Sequence, residues 1–149
     1  MTEHCGDPAG ARLVSVEFSA ANAEIARAVI AHTGLAERVS VVVGMIGDGG
    51  ATLARLAADP GFNSGAVDFV FIDHHKSAYL ADLRAILAAG WLHPGPIVVA
   101  DNVKVSLAPD YLAYMRAQDG RSWRTREHAT RVEYQSLLKD LVLESEYLG

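Results

Sequence analysis

The sequence predicts an α/β fold with a doubly wound, mostly parallel sheet, and three observations carry that reading. Short β-branched runs alternate with alanine-rich stretches whose apolar residues recur at helical spacing, the rhythm of repeated strand-helix units. One run, Ile97-Val98-Val99-Ala100, is apolar throughout rather than alternating, as in a strand covered on both faces. The chain has 149 residues, 50% of them hydrophobic, enough for one compact domain and hardly for two. We therefore read residues 1–149 as a single domain.

In chain order, residues 12–18 read as a strand and residues 21–32 as a helix, with Ile25, Val29 and Ile30 expected to face a core. Gly34 is the stop signal just past that helix. Val39–Val43 is the next strand, and Asp48, Gly49 and Gly50 open a helix that runs to about Ala58. Pro60-Gly61 and Asn63-Ser64-Gly65 mark a loop before a third strand, Val67–Ile72. Residues 79–89 form a helix closed by Gly90, and Pro94-Gly95-Pro96 leads into the strand at residues 97–100. A helix over residues 111–117 precedes two weaker strands, 123–128 and 141–147, expected as an antiparallel edge.

Composition narrows the function. A net charge of −5 argues against nucleic acid as a partner, since a nucleic-acid groove needs a basic stripe to displace counterions from phosphates. No stretch approaches the ~20 apolar residues of a membrane span, so no membrane association is expected. Cys5 has no second cysteine to pair with, and Glu3, His4 and Asp7 interrupt the start where a signal peptide would be apolar, which predicts a cytoplasmic protein.

In open α/β sheets ligands gather at the carboxyl ends of the parallel strands, and acids stand at three of those ends. Glu17 ends the first strand, Asp73 ends the third, and Asp101-Asn102 ends the fourth. Each residue also has a plain reading: an aspartate after a strand caps helices and turns, and Glu17 or Lys76 can be solvated surface charges. Together, Asp73, Asp101 and Asn102 offer the oxygen ligands that a hard cation such as Mg²⁺ prefers. Lys76, three residues from Asp73, can act as a base if a cation's field strips its proton. Adjacent His74 and His75 are poorly placed to converge on one zinc ion, and no Cys or Glu-x-x-His pattern supports one.

Several linked stretches, in this order and separation, resemble the catechol O-methyltransferases. They are Gly10-Ala11-Arg12-Leu13 leading to Val16-Glu17, Phe71-Ile72-Asp73-His74-x-Lys76, Ala100-Asp101-Asn102-Val103, Pro109-Asp110-Tyr111-Leu112-Ala113-Tyr114 and Val132-Glu133-Tyr134. The resemblance runs from about Gly10 to the C-terminus and implies the Rossmann-like fold of S-adenosylmethionine-dependent methyltransferases. It implies transfer of a methyl group from S-adenosylmethionine to one hydroxyl of a catechol-like small molecule. Asp73, Asp101 and Asn102 would then be Mg²⁺ ligands, Lys76 the general base, and Asn102, Lys76 and Glu133 the substrate contacts. Glu17 and Phe18 would hold the donor's ribose, the loop Gly44-Met45-Ile46-Gly47 would run along its adenine, and Asp73, His74 and His75 would complete the donor site.

Ile46 and Gly47 stand where the family has polar side chains, His75 where it has tryptophan, and Ser106, beside Leu107, where it often has proline. These departures predict a rearranged adenine site and a substrate range of its own. Judged against the family, residues 1–5 resemble the tail of the helix after the first strand, residues 6–10 the loop into the next strand, and the lid helices have no counterpart. The expected chain is therefore an N-terminally truncated methyltransferase domain whose central strand is missing, with weak or no transfer by the 149 residues alone. Turnover matching that of an N-terminally extended version would refute this. Two alternatives stand beside it: a non-catalytic binding or assembly remnant of the same fold, and a metal-dependent phosphoesterase, because Asp73-His74-His75 matches the Asp-His-His signature of a hydrolase family.

Overall fold

The computed structural model describes residues 10–59, 61–104, 108–132 and 135–149. The chain forms two compact units, Met1–Thr52 and Leu53–Gly149.

The first unit is a strand-helix-strand element. Strands β1, Leu13–Glu17, and β2, Val39–Val43, pair in parallel with Leu13 opposite Val39 and Glu17 opposite Val43. Helix α1, Ala20–His32, joins them and starts at Ser19, whose side chain accepts a hydrogen bond from the Asn22 amide. Ile25 and Val29, expected in the core, are 65% and 58% exposed. The helix instead turns Ala23 and its i+4 neighbour Arg27 toward the sheet, where the Arg27 guanidinium donates to the Val41 carbonyl at 2.7 Å. An alanine-rich helix carries apolar residues all round, so periodicity does not single out the narrow face that two strands cover. Helix α2, Ala51–Ala57, within which the boundary between the units falls, opens as expected at Asp48, whose carboxylate accepts from the Gly50 and Thr52 amides.

The second unit is built on a four-stranded mixed sheet. Its strands are β3, Val67–Ile72; β4, Leu92–Ala100; β5, Trp123–Val132; and β6, Gln135–Tyr147, in the order β3-β4-β6-β5. β3 and β4 are parallel, and β6 runs antiparallel to both β4 and β5, so the predicted antiparallel edge is present with longer strands. β4 begins before Pro94-Gly95-Pro96, which the sequence places as leading into the strand; a register shift between Val67 and Phe69 accommodates a segment whose prolines cannot donate to the ladder. Within it Val98 and Ala100 are buried and Ile97 and Val99 half-buried, so only one face is fully covered. Helix α3, Tyr79–Ala88, buries Tyr79, Asp82, Leu83 and Ile86, an i, i+3, i+4, i+7 stripe. Helix α4, Pro109–Gln118, begins with a proline that needs no amide partner there and buries Tyr111 and Met115. With Trp123 and Leu143 these residues form the core of the unit, each aliphatic side chain stabilising it by roughly 1.5–3 kcal/mol. Phe69 and Phe71, on the opposite face of β3 from Ile72, are 58% and 59% exposed. No helix among the described residues is long and apolar enough to cross a membrane.

Candidate active site

The parallel register of the second unit builds the acidic cluster. Ile72 of β3 lies opposite Ala100 of β4, and the Asp101 amide donates to the Ile72 carbonyl at 3.1 Å, so Asp73 and Asp101 leave adjacent strands side by side. Asn102 follows with a φ of 52°, a left-handed backbone that asparagine tolerates better than most residues. Its amide N–H donates to Asp101 Oδ1 at 2.7 Å and its side-chain Nδ2 donates to Asp140 Oδ2 at 2.8 Å. The loop is laced further to β6, since the Val103 amide donates to the Leu141 carbonyl at 3.0 Å.

Lys76 sits in a one-turn 3-10 segment, Lys76–Ala78, that folds its side chain back over the strand ends. Its ammonium donates to Asp73 Oδ1 at 2.7 Å, to the Tyr79 hydroxyl at 2.5 Å and to Asn102 Oδ1 at 3.4 Å. The Tyr79 hydroxyl in turn donates to the Asp101 carbonyl at 3.1 Å. Burial pulls the lysine's pKa down, but the hydrogen bonds to Asp73 and Tyr79 outweigh it and hold the ammonium above its ordinary value. Burial likewise raises the Tyr79 phenol, with Lys76 acting in the opposite direction.

These contacts test whether Mg²⁺ fits. A carboxylate oxygen of Asp73 and the amide oxygen of Asn102 already share one cationic partner, and oxygen donors of this kind are what a hard divalent ion takes. Asp101 adds a second carboxylate beside Asn102. Among the described residues no group of three or more His, Cys, Asp and Glu side chains could hold a metal ion; the candidate donors here are two carboxylates and an amide. The donors fit.

The two histidines diverge. His74 Nε2 meets Asp82 Oδ2 at 2.7 Å, while His75 Nδ1 is 2.9 Å from Ser77 Oγ. Burial raises the Asp82 carboxyl above the usual carboxylate range despite the opposing pull of His74. With their ring nitrogens engaged in different directions, the histidines do not assemble the metal site of an Asp-His-His phosphoesterase.

In the first unit, Glu17 and Gly44 come together because β1 and β2 end in register, and the Gly44 amide donates to the Glu17 carbonyl at 2.9 Å. The Glu17 carboxylate accepts from the Ser19 amide at 2.7 Å, and Phe18 between them is 76% exposed. The loop through Met45, Ile46 and Gly47 is pinned by Thr52, whose hydroxyl accepts from the Met45 amide at 3.2 Å and donates to Asp48 Oδ2. Hydrogen bonds from the Thr52 side chain and amide hold Asp48 below the usual carboxylate range. Glu133, Ser106 and Leu107 lie outside the described residues.

The structure thus joins Asp73, Lys76, Asp101 and Asn102 in one cluster and brings Glu17 to Gly44, where the loop through Met45, Ile46 and Gly47 begins. It adds Tyr79, Asp82 and Asp140, which the sequence reading did not single out. Tyr79 was legible only as the start of a helix. Asp140 did leave a signal, a charged residue directly before the apolar Leu141-Val142-Leu143.

This arrangement coincides with a family assignment. Residues 3–107 match the family profile described as O-methyltransferase, and the chain belongs to that family. A "Probable O-methyltransferase" of Mycobacterium tuberculosis is 62% identical over 139 residues, covering 93% of this chain and 59% of the relative. Catechol O-methyltransferase B of Danio rerio is 36% identical over 142 residues, covering 95% of this chain and 51% of the relative. The chain therefore spans between half and three fifths of the length of these curated relatives. The crystal structure of an O-methyltransferase from Bacillus cereus in complex with SAH superposes with a TM-score of 0.70 at 22% identity, covering 91% of this chain and 62% of that one. The expected Rossmann-like α/β fold is the fold present.

Proposed function

We propose that this chain carries the catalytic cluster of an S-adenosylmethionine-dependent O-methyltransferase that modifies one hydroxyl of a catechol-like vicinal diol. The observation that carries the reading is the convergence of Asp73 Oδ1, Asn102 Oδ1 and the Tyr79 hydroxyl on the Lys76 ammonium. Asp73, Asp101 and Asn102 would hold Mg²⁺, and the chemistry such an ion supplies is acidification of the hydroxyl it holds. Lys76 Nζ is the general base that takes that proton. Tyr79 steers it toward the substrate oxygen, being rigidly placed by its own bond to the Asp101 carbonyl. Asp73 is the group that holds Lys76 protonated, so the lysine becomes a base only when the carboxylate's charge is engaged elsewhere. Asn102 and Glu133 would contact the diol. For the donor, the Glu17 carboxylate would accept the ribose hydroxyls beside Phe18, and Gly44, Met45, Ile46 and Gly47 would lie along the adenine. The reaction itself is an in-line displacement, in which positioning supplies much of the rate.

Isothermal titration with S-adenosylmethionine and Mg²⁺, followed by transfer of a labelled methyl group to catechol, tests the reading. Transfer is expected, and Lys76→Met is expected to lower it by about 10²–10⁴-fold with donor binding intact. Donor binding with transfer unchanged in Lys76→Met would contradict the role of the lysine. Binding of neither donor nor ion would favour the non-catalytic alternative.

A further inference from the structure

We infer that Asp140 is a positioning residue that fixes which end of the Asn102 side-chain amide faces the cation site, and so sets the affinity of that site for a divalent ion. The inference rests on the reading of Asp73, Asp101 and Asn102 as the ion's ligands. A primary amide is nearly symmetric in shape but opposite in charge at its two ends, so an asparagine ligand is useful only if its oxygen, not its NH₂, points at the ion. Nothing in the Asp73-Asp101-Asn102 trio enforces that choice. Asp140 does: it comes from β6, it is 2% exposed, and an ionised carboxylate accepts hydrogen bonds and donates none. Its Oδ2 takes the Asn102 Nδ2 at 2.8 Å, which turns Oδ1 toward the Lys76 ammonium at 3.4 Å.

The carboxylate is itself held. Its Oδ1 accepts from the Leu141 amide at 2.7 Å and from the Lys104 amide at 3.3 Å, so it ties the loop after β4 to β6 on both sides of Val103. Asn102 has a left-handed backbone at φ 52°, and a residue held there owes its geometry to its surroundings. An outer-shell carboxylate that orients a ligand in this way is worth about 10- to 100-fold in metal affinity.

The test is titration of Mn²⁺, followed by electron paramagnetic resonance, into the wild-type chain, Asp140→Asn, and the exchange variant carrying Asn102→Asp together with Asp140→Asn. The exchange puts a carboxylate, which has no wrong end, at the ligand position and an amide that can donate to it behind. Asp140→Asn is expected to weaken Mn²⁺ binding about 10- to 100-fold, and the exchange variant to recover it to within a few-fold of wild type. Unchanged affinity in Asp140→Asn, or no recovery in the exchange variant, overturns the inference. A second measurement is independent of metal and of variant folding: a through-hydrogen-bond coupling in the wild-type protein between Asn102 Nδ2 and Asp140 Cγ. Its presence with no Mn²⁺ binding would sink the metal reading and leave the orientation upheld; its absence overturns the orientation itself.

Discussion

The two units differ in how much core stands behind their chemistry. In the first, Ala23 and Val41 are the buried hydrophobic residues among those described, while Leu13, Phe18, Ile25, Val29 and Leu35 are exposed. In the second, Tyr79, Leu83, Val98, Met115, Trp123 and Leu143 are each fully buried. The Asp73-Lys76-Asn102 cluster therefore stands on a packed layer, and the Glu17-Gly44 pair on a thin one. Proton transfer tolerates only about 0.5 Å of misplacement, so the proposed role of Lys76 as a base requires a dense scaffold of this kind.

The largest effect that tests this contrast is a cavity in the dense unit. Leu143→Ala, at a fully buried position in β6, is expected to cost about 2–5 kcal/mol in urea unfolding. Val29→Ala, at a position 58% exposed on α1, is expected to change stability by less than about 0.5 kcal/mol. Equal costs would erase the difference between the units. Next in size is backbone opening: amides of β1 and β2 are expected to exchange hydrogen well before those of β4 and β6, and the reverse order would invert the comparison. The smallest effect marks where the dense unit thins out, at His93 in the first half of β4. Its Nε2 lies 3.0 Å from Asp68 Oδ1, and that bond, with one to the Pro94 carbonyl, raises the imidazole above its usual 6.5. A raised folded-state value means the contact stabilises fully below pH 6.5 and is lost as pH rises through the folded value. An NMR titration should show the His93 value falling in Asp68→Asn; no change would show that the contact does not form in solution.

Much of this cluster is legible in the sequence. Val67–Ile72 is a strand at the bounds its apolar run predicts, and the chain turns immediately after it, so Asp73 could be placed at a strand end. The same logic placed Asp101 and Asn102. Contacts made across the chain were not readable. Asp140 reaches Asn102 from 38 residues away, and sequence spacing gives no hint of which end of an amide it holds. Helix α1 failed for a different reason: with alanine on most sides, its exposed Ile25 and Val29 look like core positions until the sheet beneath proves to be two strands wide. His74 and His75, adjacent in sequence and tempting as a pair, part company because each has its own partner, Asp82 on α3 and Ser77 in the turn that follows.

The central claim is that the oxygens now facing the Lys76 ammonium form a cation site. Calorimetric titration of Mg²⁺ into the wild-type chain and into Asp73→Asn tests it most directly. The account predicts a single-site isotherm in the wild type that is lost in the variant; identical isotherms, or no binding in the wild type, would contradict it.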